Sequence, residues 1–384
     1  MRVLFSSLSA IGHVHPLVPM ALALRDRGNE VRWATGPDAC ARVERAGIPA
    51  VPAGMTQADR FAEYWRRHPE VKSLPSEQWP DVMFPKLFGE ISAPAALGDL
   101  HALAHAWRPD LVVHDAVELA APIAAASIGV PHVVHAFGAL LPELRVRRAG
   151  EEVARLWHDV GLEPRPYGGS YDHLYLDIYP PSLQPDAGDH VPVRQPLRPV
   201  PVGEEGDRAV PDDVEHGSGR PLVYLTFGTV FNDNPAFRAA LAGIGDLPVN
   251  LVVTVGPAAD PGAFGPQPSN VAVERYIPQM TLLPSCDVVV SHAGSGTVLA
   301  TLGLGIPQLC LPQAADQFLN AAAVVRSGAG LAIPPQEVDS GGVAGAVRRL
   351  LGDGNFRQRA RLVADEIASM PSPDEVAAVL ETLT

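Results

Sequence analysis

Short apolar runs alternate with amphipathic stretches in the first part of the chain. The runs at residues 2–6, 30–35 and 49–52 have the length and composition of buried strands. Helix-like stretches at 17–27 and 39–46 lie between them, and a glycine follows each one. This alternation predicts a parallel sheet with helices on both faces.

Residues 56–107 interrupt this rhythm. The segment carries scattered prolines and most of the tryptophans of the chain. An aromatic insertion between regular βα units is compatible with a lid or pocket wall, and equally with ordinary helical packing. Alternation then resumes, with strands predicted at 110–114 and 131–135.

A second series of strands begins after a stretch that is rich in Pro, Gly, Asp and Glu, at residues 180–220. We therefore predict an N-terminal domain over 1–205, a linker over 206–220 and a second α/β domain over 221–370. A terminal helical segment follows at 371–384. The strands predicted in the second domain are 222–226, 250–255, 271–274, 287–290, 308–311 and 331–333.

Bulk composition narrows the class of protein. The 384 residues carry a net charge of −14, which disfavours nucleic acid and anionic membrane surfaces as partners. The three cysteines are far apart and in apolar company, as expected for buried thiols in a reducing compartment. No apolar run reaches the length of about 20 residues that a membrane helix needs. We expect a cytoplasmic protein.

Candidate ligand-binding residues are most concentrated in the block at residues 276–320. The strand at 287–290 leads into the turn SHAGSGT at 291–297, and an apolar helix-like run follows. When a strand is followed by a turn of small residues and then by a helix, free backbone N–H groups point towards a bound anion. Asp316 and Gln317 follow the next strand, where a carboxylate and an amide could hold sugar hydroxyls. The block predicts a site for a sugar-carrying nucleotide diphosphate, with candidate diphosphate ligands His292, Gly294, Ser295, Gly296 and Thr297.

The same block resembles the donor-binding signature of GT-B nucleotide-sugar glycosyltransferases, and in particular the family-1 enzymes that modify bacterial natural products. The resemblance includes Pro278-Gln279, the HAGSGT turn, Gly305-Ile306-Pro307 and Asp316-Gln317, in that order. It implies two Rossmann-like, doubly wound parallel-sheet domains that face a cleft. It also implies that the terminal helix packs back on the N-terminal domain.

Further donor contacts follow from this resemblance. Family members place the aromatic residue that stacks on the base at the position of Tyr276, and Ile277 and Gln279 lie beside it in sequence. The alternative is that Tyr276 is a core tyrosine at a strand end. The family also places a glycine turn beside the diphosphate, which here is Gly228-Thr229 after the strand at 222–226.

His13 and Asp115 are the candidate catalytic residues. Each follows a predicted strand, and open parallel sheets bind ligands at these strand ends. An imidazole suits a general base, and a carboxylate on its other nitrogen would fix its tautomer. The family resemblance supports the same pair. In the alternative interpretation, His13 is a helix-entry residue and Asp115 caps the next helix.

The sequence also limits which nucleotide and which kind of acceptor we expect. Uridine-diphosphate enzymes of this family commonly carry a glutamate eight residues after the signature histidine, where this chain has Ala300. That departure favours a thymidine-diphosphate sugar. Aromatic and aliphatic residues suggest an apolar acceptor, with candidate pocket residues Trp79, Met83, Phe84, Phe88 and Phe137.

The sequence thus predicts a metal-independent inverting glycosyltransferase that needs no cofactor beyond its sugar nucleotide. Its substrates would be two small molecules, with a homodimer or an auxiliary protein as possible partners. Three other functions stay open at this point. They are C-glycosylation of a phenolic ring, epimerisation of a nucleotide sugar on the same fold, and a non-catalytic helper role beside another transferase.

Overall fold

The computed structural model describes residues 1–185, 188–203, 219–228, 234–256 and 259–384. They form two compact units. Unit 1 comprises Met1–Tyr179, Pro185–Val202 and Met370–Thr384, and unit 2 comprises Pro180–Gln184 and Gly203–Ser369. Pro180–Gln184 therefore belongs to unit 2, although it precedes the boundary expected at residue 205.

Seven parallel strands form the sheet of unit 1: β1 (Arg2–Ser7), β2 (Glu30–Thr35), β3 (Ala50–Pro52), β4 (Leu111–Asp115), β5 (His132–His135), β6 (Leu174–Asp177) and β7 (Arg194–Pro196). Their order is β3-β2-β1-β4-β5-β6-β7. The strand order reverses between β1 and β4, which pair directly. In open α/β sheets a ligand crevice opens at the carboxyl ends of the strands at such a reversal.

Helices connect these strands and cover the sheet of unit 1. They are α1 (Ile11–Val14), α2 (Val18–Asp26), α3 (Pro37–Arg45), α4 (Gln57–Arg67), α5 (Trp79–Phe84), α6 (Ala93–Trp107), α7 (Ala120–Ile128), α8 (Glu143–Glu152) and α9 (Ala154–Asp159). A π-helical segment, Pro85–Ser92, joins α5 to α6.

The aromatic insertion is helical and has its own small core. Tyr64, Val71, Leu87 and Ile91 are buried together, with Trp65, Trp79 and other side chains packed around them. Ordinary helical packing, one of the two interpretations of this segment, is therefore correct for most of its aromatic residues.

The sequence pattern did not reveal β6 and β7. β7 lies within the stretch at 180–220 that was expected to be linker-like. It is a three-residue edge strand that ends in a proline, and such strands carry little periodic signal.

Six parallel strands form the sheet of unit 2: β8 (Leu222–Thr226), β9 (Asn250–Thr254), β10 (Val271–Glu274), β11 (Val288–Ser291), β12 (Gln308–Cys310) and β13 (Gly330–Ala332). Their order is β10-β9-β8-β11-β12-β13, so the reversal lies between β8 and β11. The helices of its described residues are α10 (Pro235–Gly245), α11 (Gln279–Leu282), α12 (Ser295–Gly303), α13 (Gln317–Ser327), α14 (Ser340–Gly352) and α15 (Gly354–Ser369).

The last helix, α16 (Pro373–Leu380), belongs to unit 1. It begins with a capping box between Ser372 and Glu375. Just after its end, Glu381 accepts hydrogen bonds from Arg27 and from Asn29, both at 2.8 Å. No helix among the described residues combines the length and apolarity needed to cross a membrane.

Candidate active site

The strand reversal of unit 1 brings the two candidate catalytic residues together. His13 Nδ1 lies 3.1 Å from Asp115 Oδ2. The Asp115 side chain is fully buried, whereas 17% of the His13 side chain is exposed. The contact has the length of a hydrogen bond, although its angle departs from the straight geometry. The pair therefore has one face buried in the protein and one face open.

Backbone donors hold the carboxylate of Asp115 from both neighbouring loops. Leu8 N donates to Oδ2 at 3.1 Å, and Val117 N donates to Oδ1 at 2.8 Å. Burial opposes ionisation of Asp115, but His13 and these hydrogen bonds outweigh it and hold the pKa of the carboxyl below its usual value. Asp115 is thus a fixed, ionised partner for the imidazole.

Two details differ from the sequence-based expectation. His13 lies in the short helix α1 rather than in an extended loop. Asp115 is the last residue of β4, and the N-cap of α7 is Leu119. The alternative in which Asp115 caps that helix is therefore wrong, and the side chain is available to orient His13.

Two aromatic rings lie close to the imidazole of His13. The Phe137 ring centroid is 4.7 Å from that of His13, and the Phe88 centroid is 6.3 Å away. Phe84 contacts Phe88 edge to face at 5.0 Å. Phe88 lies in the π-helical segment, a distortion that occurs frequently at functional sites.

Trp79 and Met83 lie elsewhere in the insertion. The Trp79 ring packs against Trp65 at 5.5 Å, and its indole N–H donates to the carbonyl of Leu74. Met83 packs against the same small core. Of the five candidate acceptor residues, two therefore have their rings beside His13, Phe84 lies behind Phe88, and the other two belong to the core of the insertion.

The strand reversal of unit 2 carries the candidate diphosphate site. Gly228 follows β8 with a φ of 70°, and a Cβ atom there would lie 3.0 Å from the His292 ring. A Cβ atom on Gly294 would lie 2.8 Å from His292 Nε2. The imidazole is therefore packed between two glycine backbones, and larger residues at either position would displace it. Thr229, the neighbour of Gly228, lies outside the described residues.

The turn after β11 ends at the N-terminus of α12. Ala293 has a φ of 65°, Gly294 is the N-cap, and no side chain caps the helix. The first backbone N–H groups of α12 thus remain for an anion. A Cβ atom on the exposed Gly296 would meet nothing within 4 Å, which leaves open space beside them.

His292 is a neutral donor rather than a charged one. Its ring is partly buried, and desolvation lowers its pKa to about 4, against the opposing effects of Asp316 and the backbone of Thr226. A neutral imidazole can still donate one hydrogen bond.

A buried amide on α13, which the sequence analysis did not single out, ties this turn to the N-terminus of that helix. Asn320 Nδ2 donates to the carbonyl of Ala293 and to Asp316 Oδ2, both at 2.9 Å, and to Ser295 Oγ at 3.0 Å. Its position four residues after Asp316 on α13 could have indicated this role.

The candidate sugar ligands differ in their surroundings. Asp316 is partly exposed and accepts hydrogen bonds on Oδ2. Gln317 is 4% exposed, and its Oε1 accepts from the backbone N–H groups of Gln313 and Ala314 at 2.7 and 3.0 Å. Its carbonyl oxygen therefore supports the loop before α13.

The candidate base-binding residues lie around α11. Gln279 Nε2 donates to Thr297 Oγ1 at 3.0 Å, which links this helix to α12. Tyr276 is partly exposed, whereas Ile277 is 2% exposed and packs in an apolar cluster that also contains Ala300. Among the described residues, no group of three or more His, Cys, Asp or Glu side chains is arranged to hold a metal ion.

Two family models match the chain. The N-terminal domain of the erythromycin biosynthesis protein CIII-like family matches residues 86–228, and its C-terminal domain matches residues 238–383. The L-demethylnoviosyl transferase of Streptomyces niveus is 34% identical over 98% of this chain and 97% of that protein.

Solved structures match over the full length as well. The spinosyn rhamnosyltransferase SpnG in complex with spinosyn aglycone has a TM-score of 0.83 and 28% identity, with 100% of both chains covered. The same enzyme in complex with thymidine diphosphate has a TM-score of 0.81.

The chain has two parallel-sheet units, and each carries candidate ligands at its strand reversal. Together with these relatives, this arrangement defines a GT-B glycosyltransferase of antibiotic biosynthesis. The chain belongs to the erythromycin biosynthesis protein CIII-like family. Its relatives are deoxysugar glycosyltransferases of antibiotic pathways, and their activity is sugar transfer to natural-product acceptors.

Proposed function

We propose that this enzyme transfers a deoxysugar from a thymidine-diphosphate donor to a hydroxyl group of a hydrophobic natural product. The transfer would be metal-independent and would invert the anomeric centre. The observation that carries this proposal is the 3.1 Å contact between His13 and the buried Asp115 at the strand reversal of unit 1.

His13 acts as the general base in this mechanism. Its Nδ1 faces Asp115, so Nε2 is the nitrogen that takes the proton of the acceptor hydroxyl. The acceptor oxygen forms a bond to the anomeric carbon while the bond from that carbon to the diphosphate oxygen breaks, and the electron pair leaves with the diphosphate. A single displacement of this kind turns an α-linked donor into a β-glycoside. Asp115 stabilises the imidazolium that forms.

The N-terminus of α12 stabilises the departing diphosphate. Its uncapped N–H groups and the partial positive charge of the helix end favour an anion there. The His292 imidazole packs against Gly294, beside this helix end. The Asp316 side chain orients the sugar through Oδ1, because its described contacts are on Oδ2.

The surroundings of Ala300 support thymidine over uridine diphosphate. Ala300 is 4% exposed and packs with Ile277 and Leu282 in an apolar cluster, so this position offers no carboxylate to a ribose 2′-hydroxyl. The complex of SpnG with thymidine diphosphate agrees with this choice. Phe88 and Phe137 beside His13 favour an apolar acceptor.

Calorimetric titration with thymidine diphosphate and uridine diphosphate, followed by assays of His13→Ala, tests the proposal. We expect tighter binding of thymidine diphosphate by the wild type. We also expect unchanged nucleotide binding, with transfer reduced at least about 10²-fold, in His13→Ala. The matched control is His158→Ala, an exposed histidine of α9. Full transfer by His13→Ala would overturn the mechanism. A wild-type chain that binds the nucleotide but transfers sugar only after addition of a second protein would show that it needs an auxiliary partner.

A further inference from the structure

Arg60 is the only buried lysine or arginine among the residues that the structure describes. It lies on α4 of the aromatic insertion and is 4% exposed. Its guanidinium donates to Ser9 Oγ at 3.2 Å, and it forms no direct ion pair with a described carboxylate. A buried charge without a directly bonded counter-ion is costly, so its retention calls for a reason beyond packing.

Two buried carboxylates lie within the electrostatic reach of Arg60. Asp115 and Glu118 are 0% and 4% exposed and share the turn after β4, where Glu118 N donates to the carbonyl of Asp115. Burial lowers the pKa of Arg60, whereas Glu118, Asp115 and Asp38 raise it. Its neighbourhood therefore carries net negative charge.

Glu118 plays no part in the mechanism described above. Its Oε1 accepts from Ala120 N at 3.1 Å. Burial raises the pKa of Glu118 to about 7, against the hydrogen bond from Ala120, while Asp115 raises it and Arg60 lowers it. A change of charge at this site thus occurs near neutral pH.

Arg60 is also connected to His13 through the chain. Ser9, its hydrogen-bond acceptor, is 3% exposed and lies between Leu8, which donates to Asp115, and Ala10, the N-cap of α1. The segment that leads to His13 is thus held from Asp115 on one side and from Arg60 on the other.

We propose that Arg60 and Glu118 are positioning residues for the His13–Asp115 pair. Arg60 offsets the charge of the two buried carboxylates and anchors Ser9, so that His13 stays correctly placed to act as a base. This inference rests on the proposed role of His13.

The sign of the effect follows from the charges. Removal of Arg60 takes away the positive charge that offsets Asp115 and Glu118. The more negative surroundings then favour the protonated form of the His13 imidazole. Removal of the Glu118 charge acts in the opposite direction. The other titratable groups near Asp115 and Arg60 are Asp38 of α3 and the buried His114 and His135 of β4 and β5, whose pKa values burial lowers to about 4.

The test is the pH profile of kcat/KM for Arg60→Met, Arg60→Lys and the matched control Arg66→Met. Arg66 is an exposed arginine of the same helix that pairs with Glu63. We expect the acid limb of Arg60→Met to move to higher pH by about one unit, with kcat falling more than KM rises. Arg60→Lys should restore most of that shift, and Arg66→Met should match the wild type. A lower rate with an unmoved acid limb would mean a purely structural role and would overturn the inference.

Glu118→Gln provides a second, independent test of the same proposal. Alone it should move the acid limb to lower pH, by less than one unit because Glu118 is only partly ionised near neutral pH, and combined with Arg60→Met it should return the limb towards the wild-type position. If Arg60→Met does not fold, the shift of the acid limb to lower pH that is expected for Glu118→Gln still decides the question. His13→Ala distinguishes failure of the proposed function from failure of the positioning role alone. Full activity of that variant would remove the proposed function itself, whereas an inactive His13→Ala with unmoved limbs in the Arg60 and Glu118 variants would remove only the positioning pair.

Discussion

Ser295 donates a hydrogen bond of 2.7 Å to Asp316 Oδ2, which joins the N-terminus of α12 to that of α13. A serine hydroxyl has one proton, and here that proton is committed to the carboxylate. In this structure the Ser295 hydroxyl is thus occupied by Asp316, and its backbone N–H is the group that we propose for the diphosphate. The hydroxyl holds the carboxylate that we propose as the sugar ligand.

This relationship predicts a selective defect for Ser295→Ala. Asp316 would keep its hydrogen bond from Asn320 but lose the second one, so its carboxylate would be less well fixed. We expect KM for the sugar nucleotide to rise about tenfold, in line with the loss of one charge-assisted hydrogen bond. Affinity for thymidine diphosphate, which lacks the sugar, should change less than about threefold. Titration calorimetry and steady-state kinetics measure the two quantities. Equal losses for both ligands would show instead that the hydroxyl binds the diphosphate.

Asp115→Asn tests the charge of the catalytic pair. An amide has one accepting oxygen, so it keeps only one of the two backbone hydrogen bonds, from Leu8 or from Val117, and it cannot stabilise an imidazolium. We therefore expect kcat to fall by about 10²- to 10⁴-fold. Nucleotide affinity, which depends on unit 2, should be unchanged. The matched control is Asp99→Asn, because Asp99 also accepts a backbone hydrogen bond, from Gly54. A kcat within about threefold of the wild type would be incompatible with the role given to Asp115.

The candidate sites could be placed from sequence because they depend on strand ends. His13 and Asp115 follow or end neighbouring parallel strands, and the turn at 291–297 follows another. Strand alternation and local motifs define such positions without knowledge of distant contacts.

Residues whose role depends on long-range packing could not be found in this way. Arg60 reads as one charge on an amphipathic helix, and its burial beside Ser9 arises only from the fold. Trp79 and Phe88 are equivalent as insertion aromatics, and both pack against the small core of the insertion, but the Phe88 ring also lies near His13. No periodic signal in the sequence reveals this difference.

Ala300→Glu tests the basis of nucleotide preference. The new carboxylate would stand next to Ile277 in an apolar cluster, where it costs stability but can bind a ribose 2′-hydroxyl. We expect the ratio of uridine to thymidine diphosphate affinity to rise about tenfold, as one charge-assisted hydrogen bond allows. Ala300→Gln, of the same size without the charge, should change this ratio less. If both variants weaken both nucleotides equally, Ala300 has no part in the discrimination.

Acid should destabilise unit 1 through its buried histidines. Burial lowers the pKa of His114 and of His135 to about 4, although backbone acceptors and Asp115 act in the opposite direction. In the unfolded chain a histidine has a pKa of about 6.5. Between these values the unfolded state binds more protons than the native state, so stability falls as pH decreases from about 6.5 to about 4. Each histidine contributes up to about 3 kcal/mol to this loss.

Tryptophan fluorescence during urea unfolding measures this loss for unit 1 alone, because all five tryptophans of the chain lie within Met1–Tyr179. We expect the free energy of unfolding to decrease steadily between pH 6.5 and pH 4.5. His135→Gln should reduce that slope, because it removes one buried titrating group, and His158→Gln, at an exposed position of α9, should leave it unchanged. The same slope in His135→Gln as in the wild type would assign the acid sensitivity to other groups.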